Sequence, residues 1–443
     1  MTSPEQSSLL ELYQRTVCHG VLSYLEKQSG RKVKRGVYSV AVVLWLMILQ
    51  RLQGRNTLAS GVQLLLEGAA QPFLVPCRRV LKKQISPRTG GYCQARRKLP
   101  KLVCRQVSQE IVERLREVLK AGSESPARDV FVVDGSSLEL EHNRELVGLY
   151  PPVSNQHGRS HWPVLRLVVM HDVATGLAQN PCWGPMNGPE AVSEQRLAQQ
   201  AMQSLPADAV ILGDRNFGIF AIAYAAQQRH LPVVVRLTEV RARKLAGPIC
   251  QPGEYRVQWA ASRWDGGRQP GWPADAAVDG RLLAIRVGRG RSKSWLYLFT
   301  TLELPAEEVA ELYGRRWNIE TDLRSLKRTV QLHHIQAKSQ DMMEKEILMA
   351  VSAYNLVRAV MCMAARRSRL DPRQLSFTHI LTVVDHAWPR LIGASNQQQH
   401  DQEFLRVLDL AAKCTLPKRR KHRSYPRLQW RRGGARAFRK AEN

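Results

Sequence analysis

One short stretch of the chain combines residue types that could act on a negatively charged partner: YGRRWNIETDLRSLK, residues 313–327. An α-helix turns about 100° per residue, so four polar residues of this stretch would share a stripe only about 60° wide. This polar stripe consists of Tyr313, Arg316, Glu320 and Lys327. Beside it the same helix carries an apolar seam able to pack on a sheet. The seam consists of Leu312, Ile319, Leu323, Leu326 and Val330.

The polar stripe has two interpretations. Arg316 and Glu320 stand four residues apart and could form an ion pair on a solvated face, worth a few tenths of a kcal/mol. However, Tyr313 adds nothing to such a pair, and charged residues beside a buried seam need a partner. The pattern therefore also predicts a working face directed at a polyanion.

Two aspartates follow segments that we predict to be buried strands. DVFVVDGSSLEL is predicted to be a short strand ending in Asp134, and AVILGDRNFG a strand ending in Asp214. Between them lie a hairpin that turns at ATG and an amphipathic helix, so the region is an α/β layer with a mixed sheet. A right-handed crossover would make the two strands parallel neighbours. Both carboxylates would then meet at one sheet edge, where open sheets bind ligands.

Composition shifts divide the chain into four predicted parts. Residues 1–124 show helical periodicity with a basic PRTGGYCQARRKLPK segment, which suits DNA recognition, although a plain helical bundle would look similar. Residues 125–237 and 303–372 carry the α/β pattern and the helix of the polar stripe. Residues 238–302 are predicted to be a separate β insertion, and residues 373–443 a helical segment with a basic tail.

The charge balance favours a nucleic acid as partner. Lys and Arg number 66 against 38 Asp and Glu, a formal charge of +28 with a pI of about 10.3. A basic protein kept soluble by self-repulsion is the alternative. From residue 413 onward there are twelve Lys or Arg and one acid, which predicts a mobile, electrostatically adhesive tail. A solvated tail without a specific role is the alternative there.

Cysteine use and hydropathy predict a cytoplasmic protein. The eight cysteines include no CxxC pair, which argues against structural zinc and a disulfide framework. The first residues lack the charged and apolar regions of a signal peptide. The apolar run VAVVLWLMIL, residues 40–49, is too short to cross a bilayer, so we expect a buried helix and no membrane partner.

The polar stripe matches the Y-(2)-R-(3)-E-(6)-K signature, and the chain thereby resembles the DDE transposases of bacterial insertion sequences, in the insertion-sequence-four family. VVDGSSL is similar to the first catalytic strand of that family, and ILGDRNFG is a looser match to the second. A β insertion between the second Asp and the Glu is also a feature of the family, and residues 238–302 stand in that place. The specific similarity covers roughly residues 125–345.

The resemblance implies a ribonuclease-H-like catalytic fold and metal-dependent cleavage of DNA. Asp134, Asp214 and Glu320 are the candidate catalytic and metal-ligating acids, because two-metal cleavage of a phosphodiester needs several carboxylates around two Mg²⁺ ions. We expect Mn²⁺ to be able to replace Mg²⁺. Each Asp alone could equally be a turn former at a strand end.

The family reaction is cut-and-paste transposition through a DNA hairpin. The resemblance implies that Trp295 and Trp317 hold or replace an extruded base, with core packing as the alternative for Trp295. It further implies that Tyr313, Arg316 and Lys327 bind phosphates near the hairpin. The expected partners are the terminal inverted repeats and target DNA, with a homodimer in a synaptic complex. Two other functions stay open: a catalytically inactive or repurposed DNA-binding protein, and a nuclease without strand transfer.

Overall fold

The computed structural model of the chain describes residue 13 and the ranges 36–120, 128–155, 158–249, 251–262, 272–273, 275–287, 294–333, 335–417, 427–432 and 435–440. The first helix expected from the sequence, around residues 7–28, lies outside the described residues apart from Tyr13. From residue 36 to 120 the described chain is helical, as predicted. Its helices are α1 (Val40–Leu52), α2 (Leu58–Leu66), α3 (Arg78–Leu81), α4 (Gly90–Lys98) and α5 (Lys101–Lys120).

A nine-stranded mixed sheet forms the centre of the protein. Its strands are β1 (Val130–Glu139), β2 (Pro152–Asn155), β3 (Gly158–Asp172), β4 (Cys182–Pro185), β5 (Val210–Gly213), β6 (Val233–Leu237), β7 (Gly253–Ala260), β8 (Ala277–Val287) and β9 (Ser294–Thr300). The order is β2-β3-β1-β5-β6-β9-β8-β7, and β4 pairs with β3. β3 is antiparallel to β1, whereas β1, β5 and β6 are parallel neighbours. The order β4-β3-β1-β5-β6, with β3 antiparallel to both β1 and β4, is the ribonuclease-H-like arrangement, and it confirms the predicted fold class.

Alternating side chains of the sheet enter two different cores, because successive residues of a strand face opposite sides. Val132 of β1 and Leu212 of β5 belong to one core, whereas Phe131 and Ile211 belong to the other. The second core is covered by α7 (Glu194–Ala201), α8 (Phe220–Gln227) and α9 (Glu239–Ala246), which follow α6 (Arg144–Leu149) along the chain. The sheet is thus the middle layer between two layers of helices.

The first core is the larger, and five of its helices come from the C-terminal half. They are α10 (Ala306–Gly314), α11 (Asn318–Arg324), α12 (Gln340–Arg367), α13 (Phe377–Ile392) and α14 (Gln397–Lys413). α12 is long and apolar enough to cross a membrane. However, its most apolar 18 residues are wholly buried inside the protein, so α12 is the central helix of this core.

Two predicted boundaries do not separate units of packing. β9 pairs with the free edge of β6, so β7, β8 and β9, the strands of the predicted β insertion, extend the central sheet. A sheet edge exposes unpaired peptide groups, and a neighbouring strand satisfies them. Likewise, α1, α2 and α5 of the predicted N-terminal domain share one core with α12.

The basic tail carries more structure than expected. The described parts form two strands, β10 (Arg427–Arg432) and β11 (Ala435–Lys440), which pair antiparallel with each other. They form a separate two-stranded sheet and do not join the central one.

Candidate active site

The two predicted aspartates are level with each other at one edge of the sheet. β1 and β5 run parallel with Val132 opposite Leu212. Asp134 stands two residues further along β1, and Asp214 directly follows the end of β5 at Gly213, so the two acids come to the same end of the sheet. Because residues two apart face the same side of a strand, Asp134 lies on the side of Val132 and the larger core. β1 does not end at Asp134 as predicted; it continues to Glu139 because β3 goes on pairing with it. The predicted parallel pairing of the two strands is confirmed.

The charges of the carboxylate pair are only partly compensated within the chain. Burial raises the pKa of Asp134 to about 6, with a further increase from the charge of Asp214, against the lowering effects of the Gly135 N–H and Arg316. Asp134 Oδ1 accepts a hydrogen bond from Gly135 N (2.8 Å), and Asp214 Oδ1 accepts one from Asn216 N (2.8 Å). Within the described chain, neither aspartate has a Lys or Arg partner in a salt bridge. Two hard oxygen donors whose ionised forms repel each other fit a divalent cation at this edge.

The polar stripe does not lie on one continuous α-helix. α10 ends at Gly314, residues Arg315–Trp317 form a 3₁₀ turn, α11 follows, and residues Ser325–Thr329 form a π turn. Since a 3₁₀ helix turns about 120° per residue, three such residues shift the helix face by about 60° relative to the expected stripe. The predicted seam is nevertheless buried, with Ile319, Leu326 and Val330 fully inaccessible to solvent.

Tyr313 and Arg316 are buried beside the aspartates. The Arg316 guanidinium lowers the pKa of Asp134, and the charge of Asp214 affects the pKa of Tyr313, which burial raises above its usual value. Among the described residues, Arg316 Nε is buried without a hydrogen-bond partner, and the buried Tyr313 hydroxyl interacts with the Arg316 side chain but has no acceptor for its own proton. Arg316 also makes no ion pair with Glu320 in this described helix, so the surface-pair interpretation is wrong. Buried donors without acceptors indicate that an oxygen-rich ligand completes this position.

Lys327 contacts the strand that carries Asp134. Its Nζ donates to Ser136 Oγ and to the Ser137 carbonyl oxygen, each at 2.9 Å. Lys327 is only partly buried, and this burial lowers its pKa. Arg316 and Lys327, the stripe residues on either side of Glu320 in the sequence, therefore both lie close to Asp134 or to its strand.

Glu320 itself is not brought together with the aspartates. Its side chain is exposed on α11, and no group of three acid, His or Cys side chains among the described residues is close enough to hold a metal ion. The shifted helix face after the 3₁₀ turn is the physical reason. The structure therefore assembles two of the three predicted acids, and the role of Glu320 stays a prediction.

The two predicted stacking residues lie on opposite faces of the sheet. Trp317 is 60% exposed, with the Arg316 guanidinium carbon 4.8 Å from its ring centroid. Trp295 is half-buried at the β9 end nearest the Asp edge, but it packs against the second core with Arg286 3.7 Å over its ring. The packing of Trp295 agrees with the alternative stated for it, while Trp317 has an accessible ring.

Sequence reasoning missed several residues of this edge. Arg236 of β6 lies close enough to lower the pKa of Tyr313, and it shares the face of Val234 in the larger core. Glu194 accepts a hydrogen bond from Asn216 Nδ2, beside Asp214. No motif indicates Arg236 or Glu194 in the sequence. The available signals for Glu194 were Gly135, directly after Asp134, and Asn216, two residues after Asp214.

Comparison with known proteins agrees with this geometry. An edge with paired aspartates and buried cations on a ribonuclease-H-like sheet defines a class of enzymes that act on nucleic-acid phosphodiesters. Residues 125–356, more than half of the 443-residue chain, match the family described as "Transposase DDE domain". The chain therefore belongs to the DDE transposase family.

One curated relative and one solved structure illustrate the similarity. The "Transposase InsG for insertion sequence element IS4" of Escherichia coli (strain K12) is 26% identical over 311 residues, which are 68% of this chain and 67% of the relative. A chain of the "Cryo-EM structure of piggyBac transposase synaptic complex with hairpin DNA (SNHP)" is 9% identical, with a TM-score of 0.46 over 94% of this chain and 87% of that one. The name of this relative agrees with the insertion-sequence-four signature that the sequence carries in its polar stripe.

Proposed function

We propose that the protein is a cut-and-paste DNA transposase that nicks transposon ends, forms a hairpin and joins the freed 3′-hydroxyl to target DNA. The observation that carries the proposal is the level pair Asp134 and Asp214 at the sheet edge, faced by the buried cation of Arg316. Water would attack the phosphorus at the transposon end, and the bond to the 3′ oxygen would break. The released 3′-hydroxyl would then attack the opposite strand and form a hairpin, which would separate the flanking DNA. A second water would reopen the hairpin and free the 3′-hydroxyl again, and this hydroxyl would attack a phosphodiester of the target DNA.

The proposed metal site uses the acids named from the sequence. Asp134 and Asp214 would hold Mg²⁺, or Mn²⁺ in its place, and Glu320 would join them after α11 rotates or moves on DNA binding. Divalent cations at such a site lower the pKa of an attacking water and stabilise the leaving oxygen. The pair supports this assignment because neither carboxylate has a salt-bridge partner among the described residues, and a bound divalent cation would relieve the repulsion between them.

The basic and aromatic residues would bind and distort the DNA. Arg316 would contact a phosphate through its unpartnered Nε, and Tyr313 would donate its hydroxyl to the same group. Lys327 would act as a point charge at the next phosphate. The exposed ring of Trp317 would stack on an extruded base, and Trp295 would need a movement of Arg286 to do the same.

The N-terminal helices are proposed to bind the transposon end. A cavity of about 750 Å³ opens among them, and its lining includes Arg78, Arg79 and Arg88 next to the start of α4. Three guanidinium groups beside a helix N-terminus suit DNA phosphates. The basic tail would add affinity that does not depend on sequence. We propose a homodimer that pairs two ends, acting on the nucleoid in the cytoplasm.

A strand-transfer assay with terminal repeats taken from the DNA flanking the gene tests the proposal. The wild-type protein should give Mg²⁺-dependent nicks with 3′-hydroxyls at the repeat ends, then hairpins, then joined products. Asp214→Asn should retain binding of the repeats and give none of these products. Nicks without joined products would indicate a nuclease without strand transfer. Repeat binding without any nick in Mg²⁺ or Mn²⁺ would indicate a DNA-binding protein without catalysis.

A further inference from the structure

Glu194, an acid outside the predicted triad, lies at the same sheet edge as the two aspartates. α7 begins at this residue, and Ser193 caps the helix by accepting a hydrogen bond from Arg196 N. Leu197 and Ala198 anchor the helix in the second core, so the start of α7 has a fixed position under the sheet. Glu194 therefore approaches the edge from the face opposite Asp134.

The residue after Asp134 leaves room for the Glu194 carboxyl group. A Cβ atom at Gly135 would lie 2.5 Å from Glu194 Cδ and 2.7 Å from Oε1, which is closer than real contacts allow. Any side chain at position 135 would push the carboxylate away, so glycine here permits a close approach. The Glu194 carboxylate thus lies directly against the backbone that carries Asp134.

A hydrogen-bonded chain joins Glu194 to Asp214. Glu194 Oε2 accepts from Asn216 Nδ2, and Asn216 N donates to Asp214 Oδ1. Gln195, the next residue of α7, donates to Asn216 Oδ1 (2.7 Å) and to its carbonyl oxygen (3.1 Å). Two consecutive residues of a packed helix therefore hold the loop whose backbone N–H orients the Asp214 carboxylate.

Glu194 also lacks a compensating cation. In the part of the chain that the structure describes, no Lys or Arg forms a salt bridge with it, although the protein carries a formal charge of +28. A third negative charge without a counterion is unfavourable at this edge unless a cation binds there.

From these contacts we infer that Glu194 is a positioning residue of the metal site, which orients Asp214 through Asn216 and adds negative charge that strengthens cation binding. The inference rests on the proposed function, because it assumes a divalent cation at Asp134 and Asp214. Glu194 does not contact the reacting atoms. Partners of metal ligands typically change metal affinity by about 10–100-fold when they are removed.

Mn²⁺ binding to the full-length protein in complex with terminal-repeat DNA, followed by electron paramagnetic resonance, tests the inference apart from turnover. Glu194→Ala should weaken Mn²⁺ binding about 10–100-fold and raise the Mg²⁺ concentration needed for nicking to the same extent. Glu194→Gln keeps an acceptor for Asn216 but loses the charge, so its loss should be smaller. The exposed Glu190→Ala is the matched control and should behave as wild type.

Two further variants separate positioning from a general loss of structure. Asn216→Ala should weaken Mn²⁺ binding, and Glu194→Ala should add less in the Asn216→Ala background than in wild type, because both act through one chain of hydrogen bonds. Gly135→Ala should displace the carboxylate and give part of the same loss. All variants should bind repeat DNA as tightly as wild type.

The outcomes distinguish this inference from the proposed function. If Glu194→Ala binds Mn²⁺ as tightly as wild type while wild type nicks DNA, Glu194 has no positioning role and the transposase proposal stands. If wild type never nicks but Glu194→Ala still loses Mn²⁺ affinity, the positioning role stands and the proposed reaction is wrong. If Asn216→Ala has no effect and Glu194→Gln equals Glu194→Ala, the charge acts without the Asn216 link, which contradicts the orientation of Asp214 through it.

Discussion

Two regions of this protein hold buried charges in different ways. Around α12 the charges are paired: Glu346 of this helix contacts Arg51 (2.8 Å) and Arg96 (2.6 Å), and Asp322 of α11 contacts Arg373 (2.7 Å). At the sheet edge, Asp134 and Asp214 lie together without a salt-bridge partner among the described residues. In the first region the acids are neutralised by arginines of the same chain. In the second region a bound cation would supply the missing positive charge.

The pKa values of two aspartates express the same contrast. Burial would raise the pKa of Asp322, but Arg358 and Arg373 together hold it below its usual value of 3.8. Burial and Asp214 instead raise the pKa of Asp134 to about 6. Folding thus favours the ionised form of one carboxyl group and the neutral form of the other. The ionised carboxylates at the sheet edge therefore lower the stability of the folded chain, as charged groups at ligand-binding sites commonly do.

The largest expected effect comes from removing an acid of the edge. Glu320→Gln should abolish Mg²⁺-dependent nicking while binding to terminal-repeat DNA stays at the wild-type level, because the amide cannot serve as an anionic ligand. Gel-shift and nicking assays on the same DNA measure both properties. Asp322→Asn, two residues away, is a paired acid and should change the melting temperature instead. Unchanged nicking by Glu320→Gln would remove Glu320 from the site and leave the two aspartates alone.

Removing an acid from the paired region should damage stability. Glu346→Gln leaves Arg51 and Arg96 without their counterion in a buried position, and breaking such a set typically costs about 3–5 kcal/mol of unfolding free energy. Urea unfolding measures the loss. Glu311→Gln is the matched control, since its pair with Arg315 is exposed and should contribute less than about 1 kcal/mol. Equal losses for the two variants would contradict the difference between the regions.

The sequence predicted the positions of Asp134 and Asp214 in the sheet better than the position of Glu320 on its helix. Two apolar runs, each followed by an Asp, were enough to predict parallel strands with neighbouring carboxylates, because strand periodicity is regular. The polar stripe was placed with a uniform helical repeat, and the 3₁₀ and π turns around α11 follow no periodic pattern, so the exposure of Glu320 was not foreseen. Glu194 was missed because its link to Asp214 depends on contacts between distant segments.

The packing of the predicted β insertion and of the N-terminal helices could not be foreseen for a related reason. Strand propensity correctly placed strands within residues 238–302, but it cannot show that β9 pairs with β6. That pairing depends on which strand of the central sheet has a free edge, which is a property of the assembled sheet. The same holds for α1 and α5, whose apolar faces predict burial but do not name α12 as the partner.

The two tryptophans extend the comparison from charges to aromatic rings. Trp317→Ala should reduce hairpin formation about 5–100-fold with little change in melting temperature, because its exposed ring is free to stack on a base and contributes little to the core. Trp295→Ala should spare the first nick if the residue stacks on a base. If Trp295 serves the second core, both steps should fall together with the melting temperature. Single-turnover assays that resolve the nick and the hairpin, with parallel thermal melts, measure these effects.

The smallest expected effect is a gain of stability at the edge. Because the folded-state pKa of Asp134 is above 3.8, the folded chain holds this proton more tightly than the unfolded chain. Ionising Asp134 therefore costs stability progressively as the pH rises from about 4 to about 6, and the full cost is present at pH 7. Asp134→Asn removes that cost and should raise the unfolding free energy at pH 7 by about 1–2 kcal/mol, a value reduced from the full shift because the group is only partly buried.

The pH dependence of this gain should be opposite in sign to that of the paired acid. The gain from Asp134→Asn should disappear below about pH 4, whereas the loss from Asp322→Asn should be largest at neutral pH and shrink as the pH falls through the lowered pKa of Asp322. Urea unfolding of both variants and wild type between about pH 2 and pH 8 measures the two curves. Mg²⁺ should stabilise wild type more than Asp134→Asn, since a bound cation relieves the same repulsion that the substitution removes. A destabilised Asp134→Asn at pH 7 would show that this carboxylate is satisfied within the chain, and the contrast between the two regions would then be lost.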